Sequence, residues 1–170
     1  GLPLALSPPH RGAPAVYTVQ SIVIDRPRDE VFAFVADVTN LGLWLHKTII
    51  SEACKTPHVV DTTWEQESWS GGIRFKFWNT ITVFEPPERF SYHAMTNVTS
   101  NYVDVHFTDM GSRTRVDSEW RMEGRTWYLK LLFACIAQQR FIDRMSFESK
   151  RHLAGLKKVL EQPAIPVSLE

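Results

Sequence analysis

Six histidines and two cysteines are the side chains from which this chain could assemble a metal centre or a sulfur nucleophile. Their spacing assembles neither. Cys54 and Cys135 stand far apart, with no C-x-x-C pair and no histidine pattern nearby, and they read as free buried thiols of a protein kept in a reducing, cytoplasmic compartment. His10, His58, His93, His106 and His152 form no cluster with carboxylates or cysteines, so no metal site is expected. G-x-S-x-G, a glycine-rich phosphate loop and H-E-x-x-H are all missing, and no cofactor is expected either. What remains for chemistry is mostly neutral. Tyr92, Asn79 and Gln66, with Arg144 as a flanking cation, could assist enolisation or dehydration through hydrogen bonds and water. His46, just after Trp44, and Arg144 are within reach of a cavity mouth. The plainer reading makes them a solvated loop histidine and a surface ion pair with Glu148.

Any such site must be positioned by strands, and one stretch gives their phase. TWEQESWSGGIRFKFWN, residues 63 to 79, turns at Gly71-Gly72, a dipeptide suited to a two-residue hairpin. Ser70 then faces Ile73. Counting outward pairs Ser68 with Phe75, Gln66 with Phe77 and Trp64 with Asn79 on a neutral face. Trp69 meets Arg74, Glu67 meets Lys76 and Glu65 meets Trp78 on a charged one. The neutral face is the inner one, and Trp69 and Trp78 are expected outside, beneath Arg74 and Lys76.

Around this hairpin the sequence reads as one continuous domain over residues 15–161, between a Pro-rich extended arm, 1–14, and a tail, 162–170, that Pro163 and Pro166 keep from being helical. AVYTVQSIVID is a strand. Pro27 opens a helix with Asp29 and Glu30 at its positive end and Val31, Phe34 and Val35 to bury. NLGLWLHKT is a second short helical turn or loop. Strands are expected at about 48–55, 61–69, 73–84, 89–96, 101–109 and 113–122, with EPPE and DMGS as turns. A single helix from about Trp127 to Leu160 closes the chain. Its stripe of Cys135, Gln138, Ile142, Met145, Ser149, Leu153, Leu156 and Leu160 faces the sheet, and Gly155 calls for a close neighbour. Leu129, Phe133 and Ile136 point away from that stripe and need cover. The arm with Leu2, Leu4 and Leu6, a homodimer contact or a lipid surface would supply it.

Nineteen basic and nineteen acidic residues leave no cationic surplus for nucleic acid. No apolar run approaches the roughly 18 residues of a membrane helix, and GLPLALSPPHRGAPA lacks the charged start of a signal peptide.

SIVIDRPRDEVFAFVADVTNLGLW at 21–44, ITVFEPPERFSY at 81–92 and HLAGLKKVLE at 152–161, in this element order, resemble the START/polyketide cyclase (SRPBCC) superfamily over nearly the whole domain. The resemblance implies an α+β helix-grip fold: a seven-stranded antiparallel sheet wrapped around a long C-terminal helix, two short helices after the first strand, and a central cavity for an apolar molecule. Its members include aromatic polyketide cyclases, lipid and sterol carriers and plant hormone receptors. Continuing the strand phases sets Phe84 against Arg89, Val83 against Phe90, Ile81 against Tyr92 and Asn79 against Ala94, and pairs Val105 with Val116 and Val103 with Ser118. The expected lining is Trp64, Gln66, Ser68, Phe75, Phe77, Asn79, Tyr92, Val105, Phe107, Ser118, Trp120, Ile142 and Met145. Ordinary core packing competes for each ring, and local hydrogen bonds or water compete for Gln66 and Asn79. Every acid or base in the bodies of the phased strands falls outside. Three functions follow: a carrier or binding protein for a small apolar, aromatic or polycyclic molecule; a cyclase-like enzyme that folds a reactive substrate for ring closure; and, more weakly, a protein-interaction module using the outward tryptophans and the apolar start of the last helix.

Overall fold

A computed structural model describes residues 15–52, 58–70, 72–134 and 138–162. The arm, the tail beyond Gln162, Cys54, Cys135, Ile136 and His10 lie outside the described residues. Strand β1 (Ala15–Ile24) leads to α1 (Arg28–Ala36), a 3-10 turn (Val38–Asn40) and α2 (Leu41–Trp44). Six strands follow: β2 (Thr48–Glu52), β3 (Thr63–Ser70), β4 (Ile73–Glu85), β5 (Arg89–Met95), β6 (Thr99–Asp109) and β7 (Thr114–Gly124). They form one antiparallel sheet in the order β1-β7-β6-β5-β4-β3-β2. The fold is the helix-grip one, with a long C-terminal helix against the sheet.

The first helix forms where proline presets its entry and carboxylates meet its positive end. Val31 N–H donates to Pro27 O at 3.1 Å, and Asp29 and Glu30 occupy the first turn. Val31, Phe32, Val35 and Ala36 are buried. Phe32 stands edge-on to Phe84 and Phe107, with ring centroids 5.6 and 5.4 Å away. Asp37 ends the helix and accepts from Thr39 N–H at 3.0 Å to open the next turn.

The β3–β4 register agrees with the expected one residue for residue, from Ser70↔Ile73 to Trp64↔Asn79. The next hairpin departs from it. Asn79↔Ala94 and Ile81↔Tyr92 hold, but a bulge between Ile81 and Val83 then gives Val83↔Ser91, Phe84↔Phe90 and Glu85↔Arg89. The extra residue turns Phe84 onto the core side, where Phe32 and Phe90 receive it. In the last hairpin the turn sits one residue later than expected: Asp109 pairs with Thr114, Val105 with Ser118 and Val103 with Trp120. Gly111, at φ +80°, takes the left-handed position, and Asp109 Oδ1 accepts its N–H at 2.8 Å. The slip is by two residues, so each side chain keeps its face.

The closing helical region is described as α3 (Trp127–Ala134) and α4 (Gln138–Glu161), and residues 135–137 between them lie outside the described residues. On α3, Phe133, expected to need cover, finds it within the chain. Phe133 is 1% exposed and joins Val16 and Met145 in a second apolar cluster with Trp120, Met122, Phe141 and Ile142. The large apolar residues that α3 exposes are Trp127, Tyr128, Leu131 and Leu132. Along α4, Met145, Ser149, Leu153, Leu156 and Leu160 are buried. Among the described residues, no helix is long and apolar enough to cross a membrane.

Gly155 lets α4 approach the end of α2. A Cβ there would stand 2.6 Å from the carbonyl oxygen of Trp44, an atom fixed in the backbone. Gly155→Ala should therefore destabilise by about 1–2 kcal/mol, because the overlap outweighs the gain in helix propensity. Chemical denaturation checks this, and a more stable variant would show that the two backbones can separate freely.

Candidate functional site

The inner sheet face, the α1–α2 segment and α4 leave a pocket of about 150 Å³ between them. Val35, Leu41, Phe90, Val105, Val116 and Leu156 supply an apolar part of its wall. Gln66, Ser68, Phe75, Phe77, Tyr92, Val105, Ser118 and Trp120, all read from the sequence as lining, stand in that wall. The other expected residues do not. Trp64 is buried beside Tyr92, Phe107 packs on Phe32, and Ile142 and Met145 belong to the second cluster. Arg144 is exposed and outside the wall, as is Asn79, which is only 1% exposed. Asn79 Nδ2 donates to the carbonyls of Trp64 (3.3 Å) and Phe77 (3.4 Å), while Oδ1 has no partner among the described residues.

Besides the buried Nε1 of Trp44, which has no partner among the described residues, three neutral groups of the wall stand out for hydrogen-bonding capacity left over. Tyr92, 8% exposed, is wedged by the rings of Trp64 and Phe90, with centroids 5.4 and 5.9 Å away. Its hydroxyl makes no hydrogen bond among the described residues, and burial pushes its pKa upward, so it remains a protonated donor. Gln66 Oε1 accepts from Trp64 Nε1 at 3.2 Å, which leaves the amide nitrogen unpaired among the described residues. The third is His152, on α4. Two pairs of wall polars satisfy one another: Thr48 and Ser68 share a hydrogen bond of 2.8 Å, and Trp120 Nε1 donates to Asn101 Oδ1 at 3.1 Å.

The imidazoles and the carboxylate of the wall come from α4 and the turn after α2, not from the strands. His46, Glu148 and His152 all line the pocket. Arg151 donates to His46 Nε2 at 2.6 Å and lies 3.9 Å from Glu148, so His46 accepts with Nε2 and carries its proton on Nδ1. Burial first, then the positive charge of nearby Arg151, pushes the His152 pKa down to about 4. Glu148 and His152 are absent from the expected lining, yet positions 148, 152 and 156 step by four, so this face is present in the α4 spacing. Trp69, opposite Arg74 and expected outside, also contributes to the wall. Trp78 does stack beneath a cation, with Lys76 Nζ 5.6 Å from its ring centroid. Among the described residues, no three His, Cys, Asp or Glu side chains are grouped to hold a metal ion.

No protein-family model matches the sequence, and no curated protein matches it. Solved structures do. TTHA0849 from Thermus thermophilus is 15% identical with a TM-score of 0.69, over 85% of this chain and 96% of that one. The di-domain ARO/CYC BexL from the BE-7585A biosynthetic pathway is 17% identical with a TM-score of 0.70, over 90% of this chain and 52% of BexL. The di-domain ARO/CYC StfQ from the steffimycin biosynthetic pathway is 10% identical with a TM-score of 0.69, over 86% of this chain and 51% of StfQ. The chain thus spans about half of each two-domain protein. At these identities the likeness is one of fold.

The His152 shift sets a pH dependence. Between about pH 6.5 and pH 4 the unfolded imidazole binds a proton that the folded one refuses, so stability falls as pH falls through that window. His93, also lowered by burial, acts in the same direction. Thermal melts at about pH 7 and about pH 5 should show a smaller loss for His152→Gln than for the parent, by on the order of 1–2 kcal/mol. Equal losses would mean that water reaches the imidazole in the folded protein.

Proposed function

We propose that this chain, built on the helix-grip fold it shares with the ARO/CYC structures, binds a small, largely apolar aromatic molecule in the inner pocket. The observation that carries this reading is the combination of an apolar wall with unpaired polar groups at Tyr92 and Gln66. A cavity of about 150 Å³ holds a benzene-sized guest. Both free groups are donors, which favours a ring bearing a carbonyl. Two donors without a protein partner at the surface of a hollow need an acceptor from water or a ligand.

A second reading, cyclisation of a reactive chain, is favoured by the likeness to BexL and StfQ. In it the wall folds the substrate into one pose, and Tyr92 donates to the carbonyl where negative charge develops. Incubation with poly-β-ketone substrates separates the two readings. Product ratios that change with Tyr92→Phe support cyclisation, and unchanged ratios remove it for that substrate class.

Calorimetric titration with indole, naphthalene and 1-indanone tests binding. Ala94 lies in the wall and is 4% exposed, so Ala94→Leu should fill the pocket and weaken each ligand by about tenfold or more. Tyr92→Phe should weaken 1-indanone about fivefold while leaving naphthalene unchanged. Absence of binding to the parent, or indifference to Ala94→Leu, would refute the reading.

A further inference from the structure

The imidazoles and the carboxylate of the wall are concentrated in two short segments, the turn carrying His46 and the α4 turn carrying Glu148 and His152, and the His46–Arg151 hydrogen bond ties the segments together. Within this group each member but one is engaged. Arg151 holds His46 Nε2, and Glu148 lies beside Arg151. His152 lines the pocket and makes no hydrogen bond among the described residues.

Building on the binding reading, we infer that the pocket's ligand carries a weakly acidic hydroxyl, phenolic or enolic, and that His152 is the residue that accepts its hydrogen bond. The remaining wall explains why a hydroxyl is required. Tyr92 and Gln66 offer donors and so serve carbonyl oxygens. A neutral imidazole offers one N–H, which serves a carbonyl as Tyr92 and Gln66 do, and one ring nitrogen lone pair, which is the acceptor that a ligand hydroxyl can use. Arg151 and the wall carboxylate of Glu148 lie 3.9 Å apart and largely offset one another, so a neutral hydroxyl donor suits the site without a charge of its own. A hydrocarbon of equal size would leave the lone pair unpaired. The imidazole, with its pKa near 4, is too weak a base to take the proton of a phenol that ionises near 10, so the hydroxyl keeps its proton and the contact is one of recognition.

The test compares p-cresol with p-xylene, which are alike in size and differ in the hydroxyl. Calorimetric affinities of both are measured for the parent, His152→Leu and His152→Gln. The ratio of cresol to xylene affinity should fall about tenfold in His152→Leu and recover in part in His152→Gln, whose amide also has an accepting oxygen. Taking the ratio between variants cancels the difference in hydrophobic transfer of the two ligands. In the parent, the nitrogen-15 shifts of the His152 ring should move when p-cresol is added and stay still with p-xylene, a readout that needs no variant to fold. Equal ratios in all three proteins, or ring shifts indifferent to p-cresol, would overturn the assignment of His152 while leaving the binding reading intact. Failure of the parent to bind either molecule would instead refute the binding reading on which the assignment rests.

Discussion

An ionised side chain left unpaired beneath a sheet costs several kcal/mol, and the architecture of this protein follows from avoiding that cost. Along the phased strands, charge is sent to the outer face and paired there. Arg89 grips Asp104 with two nitrogens, at 3.0 and 2.7 Å, and Ser91 donates to the same carboxylate. Lys76 reaches Glu65 at 2.6 Å, and Arg115 reaches Asp117 at 2.9 Å. What the strands turn inward is uncharged, so the sheet can curl around a hollow without burying an unpaired ion of its own.

How far this was legible in the sequence depended on whether a local rule fixed the geometry. The Gly-Gly turn fixes a two-residue loop, and the β3–β4 register could be counted from it without error. EPPE fixed less. Phe84 pairs correctly only if the strand admits an extra residue near Thr82, and the reward for doing so, contact with Phe32 and Phe90, is tertiary and invisible in the local spacing. The same holds for the apolar start of the closing helical region. Periodicity in WYLKLLFACIA leaves Phe133 off the α4 stripe and in need of cover, and only the fold shows that Val16 and Met145 provide it.

The site was legible to the extent that strands build it. Gln66, Ser68, Phe75, Phe77 and Tyr92 could be placed on the inner face by counting alternate residues. Asn79 lies on that face too, but the neighbouring carbonyls of Trp64 and Phe77 claim its amide, and alternation cannot distinguish a wall residue from one sealed behind the wall. His152 and Glu148 escape notice for a different reason. A helical stripe is read by its apolar members, and a histidine or glutamate beside that stripe looks like its solvated flank until a hollow opens next to it. Structural likeness does not supply these residues either: at 10 to 17% identity, BexL and StfQ share the frame and leave the chemistry to each chain.

The backbone contact between Gly155 and Trp44 gives the arrangement a robustness of its own. His46 follows Trp44 by two residues and His152 precedes Gly155 by three, so both imidazoles are indexed to a junction of main-chain atoms. Side chains at the apolar part of the wall can be exchanged without touching that junction. A lineage could therefore retailor the body of whatever it accommodates, one methyl group at a time, while the spacing at the polar end is inherited unchanged.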